Sequence, residues 1–222
     1  MSKEKIKQLP IPDYSKSEEL FNSISHIVGV VLGVAITSIA LTASFLNQSS
    51  LSHIIALIIY GISLIALYLN SALYHGLSPK IEFKKVMRIV DHCTVYLLVA
   101  GTYTPVCILG LGFTFQSILM LSLVWTGCIL GIILNIIDMT KMWIKVVSMI
   151  LYIMIGWIII FFPELYSLPT NTFFYILFGG VAYTLGSILY GIGAKKRWFH
   201  SIFHIFCLLG TLLHALGIIT LL

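Results

Sequence analysis

Phe199-His200-Ser201-Ile202-Phe203-His204 opens the last apolar run of the chain, which continues through Cys207 and Thr211 to His214. At 3.6 residues per turn His200 and His204 lie one turn apart on one helix face, about 6 Å along the axis. Cys207, Thr211 and His214 extend the same stripe, while the other faces are Ile, Phe and Leu. A polar stripe on a helix otherwise suited to lipid needs partners, because a histidine inside a bilayer costs free energy unless another group or a cavity receives it. The run therefore belongs to a bundle whose other helices answer it.

Composition agrees. Of 222 residues, 59% are hydrophobic and 9% charged, against about 25% charged in soluble domains. This points to an all-α, polytopic membrane protein whose partners are membrane lipids. The net charge of +5 does not imply nucleic acid, because the basic residues sit in short clusters between apolar runs. Cys93, Cys107, Cys128 and Cys207 all fall inside apolar runs and read as free thiols. No cleaved signal is expected, since the first apolar run begins only near Ile27 and is too long for one.

Residues 1–16 are polar, hold two prolines and are expected to be poorly ordered at the start. The membrane domain is 17–222. Ser15 and Glu18 have capping-box spacing, predicting a short interfacial helix over about 17–24. Seven spans follow, over about 26–46, 53–75, 90–111, 115–137, 143–162, 172–192 and 199–221, each near the length that crosses about 30 Å of hydrocarbon. Gly29 and Gly33 predict a close helix contact, and Pro105 a bend.

Charge placement sets the orientation. Lys and Arg occur at 3, 5, 7 and 16, at 80, 84, 85 and 88, at 141 and 145, and at 195, 196 and 197. All fall in the leader, in the connections 2–3, 4–5 and 6–7, or, for Lys145, at the very start of the fifth span beside the 4–5 connection. The positive-inside rule then puts the amino terminus in the cytoplasm, the carboxyl terminus outside, and the chain in the cell membrane.

That threading makes a prediction of its own. Ser71 and His75 close the second span, Asp91 opens the third, and His200 and His204 open the seventh, all at the cytoplasmic end. Three imidazoles, a carboxylate and a hydroxyl at one depth suit zinc, bound by three neutral nitrogens with a fourth position left for water. Uncancelled positive charge would lower the pKa of that water. Asp91 could take its proton, and Ser71 could orient it or a developing oxyanion.

Each residue also has a plainer reading: His200 as a snorkelling neighbour of Lys195-Lys196-Arg197, His75 as a helix cap, Asp91 as a charge at a helix N-terminus. Their coincidence at one depth favours the shared site. His26 and His92 read as interfacial or supporting residues. His53 lies at the outer side, Asp138 is expected to be solvated beside Lys141, and His214, some 15 Å beyond His204, to pack or hydrogen-bond within the bundle.

Ser71-Ala-Leu-Tyr-His75, Asp91-His92 leading to Ala100-Gly-Thr-Tyr-Thr-Pro105, and His200-Ser-Ile-Phe-His204 through His214 together resemble the hemolysin III family, as does the Glu19–Asn22–His26 spacing. That family belongs with the progestin and adiponectin receptors and, more distantly, the alkaline ceramidases. The resemblance implies seven membrane helices with zinc near the cytoplasmic face. His75, His200 and His204 would be its ligands, Asp91 would contact it through water, and Ser71 would support the site. Ser201 stands where many relatives have a longer polar residue. The resemblance implies a metal-dependent hydrolase of lipid amides or esters, or a lipid-homeostasis regulator; the alternatives are a membrane cytolysin or a lipid sensor without turnover. A haem pair on His200 and His214 lacks its counterpart, since Gly61 stands fourteen residues before His75. Retinal has no lysine in the seventh span. An ordinary G-protein-coupled receptor would have its amino terminus outside, and a single acid at depth is thin support for a proton-coupled transporter.

Overall fold

Inside hydrocarbon a backbone must satisfy its own hydrogen bonds, and a chain with long apolar runs does so as helix. The computed structural model describes residues 1–193 and 196–222, and among these there is no strand. The helices are α1 (Lys3–Gln8), α2 (Lys16–Leu46), α3 (Leu51–Gly76), α4 (Phe83–Pro105), α5 (Phe115–Asp138), α6 (Met142–Gly156), α7 (Thr170–Gly193) and α8 (Phe199–Ile219). Among the described residues six are long and apolar enough to cross a membrane: α2, α3, α4 with its continuation, α5, α7 and α8. Their outward faces expose Val31, Ile39, Ile62, Ile118, Leu130 and Ile188, as lipid contact requires.

Several boundaries differ from the sequence expectation. The interfacial helix and first span are one 31-residue helix, because no Gly or Pro between 17 and 28 breaks it. Its start is the expected capping box: Glu18 N–H donates to Ser15 Oγ at 3.3 Å, and Ser15 N–H to Glu18 Oε2 at 2.9 Å. α4 begins at Phe83 rather than near 90. At Pro105, which has no N–H to give, the helix continues as a π-helical segment, Val106–Leu111. The run expected to span 143–162 is a 15-residue helix followed by a 3₁₀ segment, Ile158–Phe161. Tyr103 takes over at the break: its hydroxyl donates to Gly156 O at 2.8 Å and accepts from Ile159 N–H at 3.2 Å. The expected Gly29–Gly33 contact is present, since a Cβ on Gly29 would overlap the Tyr68 ring and one on Gly33 would crowd Leu64 and Ile65.

The leader is ordered rather than loose. α1 lies against the end of the bundle formed by the start of α4 and the end of α5. Leu9 is 1% exposed and packs with Ile89 and Met139. Lys5 Nζ pairs with Asp138 Oδ2 at 2.8 Å, so Asp138 is buried on the leader rather than solvated beside Lys141. Lys85 Nζ donates to Lys7 O, and the Arg88 guanidinium to Pro10 O. At the other end of α2, about 46 Å away, Asn47 Nδ2 donates to Leu222 O at 2.7 Å. The two termini therefore lie at opposite ends of the bundle. Lys195, part of the basic cluster read before α8, lies outside the described residues.

Candidate metal centre

α8 begins at Phe199, so His200 and His204 occupy its first turns at the leader end of the bundle. There they meet His75 from the last turn of α3. All three are buried, and one ring nitrogen from each lies within 4.8 Å of the other two. His200 Nε2 is 3.3 Å from His75 Nε2 and 3.1 Å from His204 Nε2.

The outer nitrogens show what the inner ones can do. His75 Nδ1 donates to Glu19 Oε2 at 2.6 Å, which leaves its Nε2 as a lone pair. Glu19 is fixed in turn by Lys84, whose Nζ donates to Oε1 at 2.6 Å and to Leu77 O at 2.8 Å. His204 Nδ1 faces Ser25 Oγ at 3.4 Å. His200 Nε2 thus confronts two other Nε2 atoms, and a neutral imidazole carries at most one N–H to share between them. A cation satisfies all three at once. Three nitrogens at 2.0–2.1 Å from a tetrahedral ion would stand about 3.4 Å apart, close to the separations here. The residues fit a metal ion, and the geometry does not name which.

A largely apolar cavity opens from this cluster. Its walls include Leu67, Val95, Leu98, Trp157 and Phe203, and it reaches His214 at the far end. Along α8 the distance from His200 to His214 is about 21 Å, rather more than the 15 Å depth of one leaflet. Ser71 and Asp91 both line it, Ser71 buried and Asp91 half-buried. Asp91 stands outside the group of three close nitrogens, so any contact it has with an ion there runs through another atom.

The remaining candidates separate cleanly. His26 is 3% exposed and stacks on His204 with ring centroids 3.7 Å apart, making it a direct neighbour of the cluster. His92 Nε2 faces Tyr190 Oη at 3.4 Å. His214 Nε2 donates to Ile176 O at 3.1 Å, the bundle hydrogen bond expected of it. His53 sits in the first turn of α3, at the other end.

Three residues at the site were given no role from the sequence: Glu19, Tyr14 and Arg88. Tyr14 stacks on His200 with centroids 4.9 Å apart and planes 20° apart, closing the cavity beside Pro12. Burial raises its pKa above the ordinary tyrosine value, so the phenol stays protonated. The signal for Glu19 was its place in the Glu19–Asn22–His26 spacing. Tyr14 carried none, because only the folded leader brings it to the cavity, and Arg88 read as one more member of a basic cluster at the start of the third span.

Comparison with known proteins bears on the whole chain. A family described as Haemolysin-III related matches residues 14–215. The sequence is 36% identical over 202 residues to Hemolysin-3 of Bacillus cereus, covering 87% of each chain. It is also 36% identical over 206 residues to a Hemolysin-3 homolog of Bacillus subtilis (strain 168), covering 89% of this chain and 91% of that one. Together with the six apolar helices, these similarities make it a multi-pass protein of the cell membrane.

Proposed function

The chain belongs to the Haemolysin-III related family, and we propose that it is a zinc-dependent hydrolase of lipid amides or esters acting at the inner leaflet. In this reading the basic clusters hold the leader in the cytoplasm, α2–α8 cross seven times, and the carboxyl terminus lies outside. α6 and the 3₁₀ segment after it together reach about 30 Å, enough for the fifth crossing. The observation that carries the proposal is the convergence of three Nε2 atoms at the mouth of an apolar cavity at the leader end of the bundle.

When bound, the ion supplies Lewis acidity to a carbonyl and to a water at neutral pH. The chain's own groups do the rest. Glu19 holds His75 with its Nε2 lone pair inward. Asp91, facing the cavity, takes the proton of the attacking water on a carboxylate oxygen and returns it to the departing amine or alcohol. Ser71 donates its hydroxyl to the carbonyl oxygen as negative charge develops there. The apolar wall receives the acyl chain and excludes bulk water.

The test is metal analysis and lipid hydrolysis on purified protein, wild type beside His204→Ala and Asp91→Asn. The proposal expects about one zinc per chain, lost with His204, and an Asp91→Asn protein that keeps zinc while hydrolysis falls by about 10²–10⁴-fold. Zinc without turnover of any lipid amide or ester would leave a lipid-homeostasis regulator using the same site. A second reading, membrane lysis, is favoured by the name of the relatives. Dye release from liposomes that is indifferent to His204→Ala would support it.

A further inference from the structure

Two cations are buried one turn apart on α4, and they are treated differently. Lys84, 0% exposed, has a carboxylate at 2.6 Å, that of Glu19. Arg88, 6% exposed, has no ion pair among the described residues. Its guanidinium donates to the carbonyl of Pro10, a neutral oxygen on the leader. Asp91, one turn further along, lines the same cavity without pairing with it. A buried guanidinium with no carboxylate within ion-pair distance is incompletely compensated, and it offers a fork of donors shaped for an oxyanion. Beside it on the cavity wall stands Tyr74, 3% exposed, whose hydroxyl has no partner among the described residues.

We propose that Arg88 and Tyr74 form an oxyanion subsite at the mouth of the cavity, taking the phosphate of a lipid whose acyl chain lies along α8. The Pro10 carbonyl holds the guanidinium until that phosphate replaces it. The inference rests on the lipid-hydrolase reading and narrows its substrate to lipids with an anionic headgroup, but the subsite itself requires no metal.

The test is equilibrium binding to the full-length protein in a neutral detergent. The probes are oleoyl lysophosphatidate, mono-oleoylglycerol and inorganic phosphate. The lysophosphatidate should bind at least about tenfold more tightly than the neutral lipid. Arg88→Gln should remove that preference while leaving mono-oleoylglycerol binding unchanged, and Arg88→Lys should restore part of it. Should Arg88→Gln fail to fold, Tyr74→Phe, which keeps the ring, should still weaken lysophosphatidate binding severalfold. Inorganic phosphate binding as tightly as the lysophosphatidate would keep the oxyanion subsite but assign it to free phosphate. Equal affinity for the two lipids, a preference that survives Arg88→Gln, or lysophosphatidate binding left unchanged by Tyr74→Phe would overturn the proposal. Metal content of the same samples separates the two readings. Zinc without headgroup preference removes only the subsite, and headgroup preference without zinc removes only the metal centre.

Discussion

His200 and His214 share a helix, a stripe and one cavity wall, yet the bundle treats them in opposite ways. His214 finds a carbonyl on α7, and a single N–H···O=C bond settles its ring. Among the described residues His200 Nε2 finds two other imidazole nitrogens and no carbonyl, and at most one N–H on its neutral ring can serve both contacts. One residue type on one face of one helix thus gives a packing group at one depth and a member of a three-imidazole cluster at another. The neighbours decide, and the neighbours come from other helices.

The sharpest way to break this contrast is to delete each ring. His200→Ala or His204→Ala should take bound metal from about one ion per chain to near zero, whereas His214→Ala should leave it unchanged; elemental analysis reads both. Next comes Glu19→Gln, which keeps the shape but weakens the hold on His75. It should lower metal affinity by about 10–100-fold in competition with a chelator, without altering the ligand count. A smaller effect tests the structural role of His214. A Cβ on Gly179 would overlap its ring, so Gly179→Ala should destabilise the wild type by about 1–3 kcal/mol and cost clearly less in the His214→Ala background. A thermal unfolding cycle in detergent measures that coupling. Smallest is Tyr14→Ala, which uncovers His200 without touching a ligand. It should speed chelator stripping severalfold while equilibrium affinity shifts by about twofold or less, since an aromatic stack is worth about 0.5–1.5 kcal/mol.

Much of this was legible in the sequence because the bilayer simplifies the physics. Long apolar runs must be helices, so α3, α5, α7 and α8 fall close to their expected limits, and charge-bearing connections group Ser71, His75, Asp91, His200 and His204 at one end. The structure brings the three histidines together and puts Ser71 and Asp91 on the wall of the same cavity. What could not be read depends on tertiary contact alone. Residues 1–16 have no apolar period and two prolines, yet Leu9 finds Ile89 and Met139 and the segment folds beneath the bundle. Asp138 looked like a solvated helix end until Lys5 reached it. Arg88 belonged to a basic cluster that orients the chain, and nothing along the sequence separates its unpaired guanidinium from the paired Lys84. The end of α6 at Gly156 depends on a hydroxyl from Tyr103, fifty-three residues earlier.

X-ray absorption at the zinc edge on purified wild-type protein tests the metal centre most directly. The account predicts about one zinc per chain with three imidazole nitrogens at about 2.0–2.1 Å and no sulfur. A preparation without stoichiometric metal, or a scatterer at about 2.3 Å that places a thiolate such as Cys207 on the ion, would contradict it.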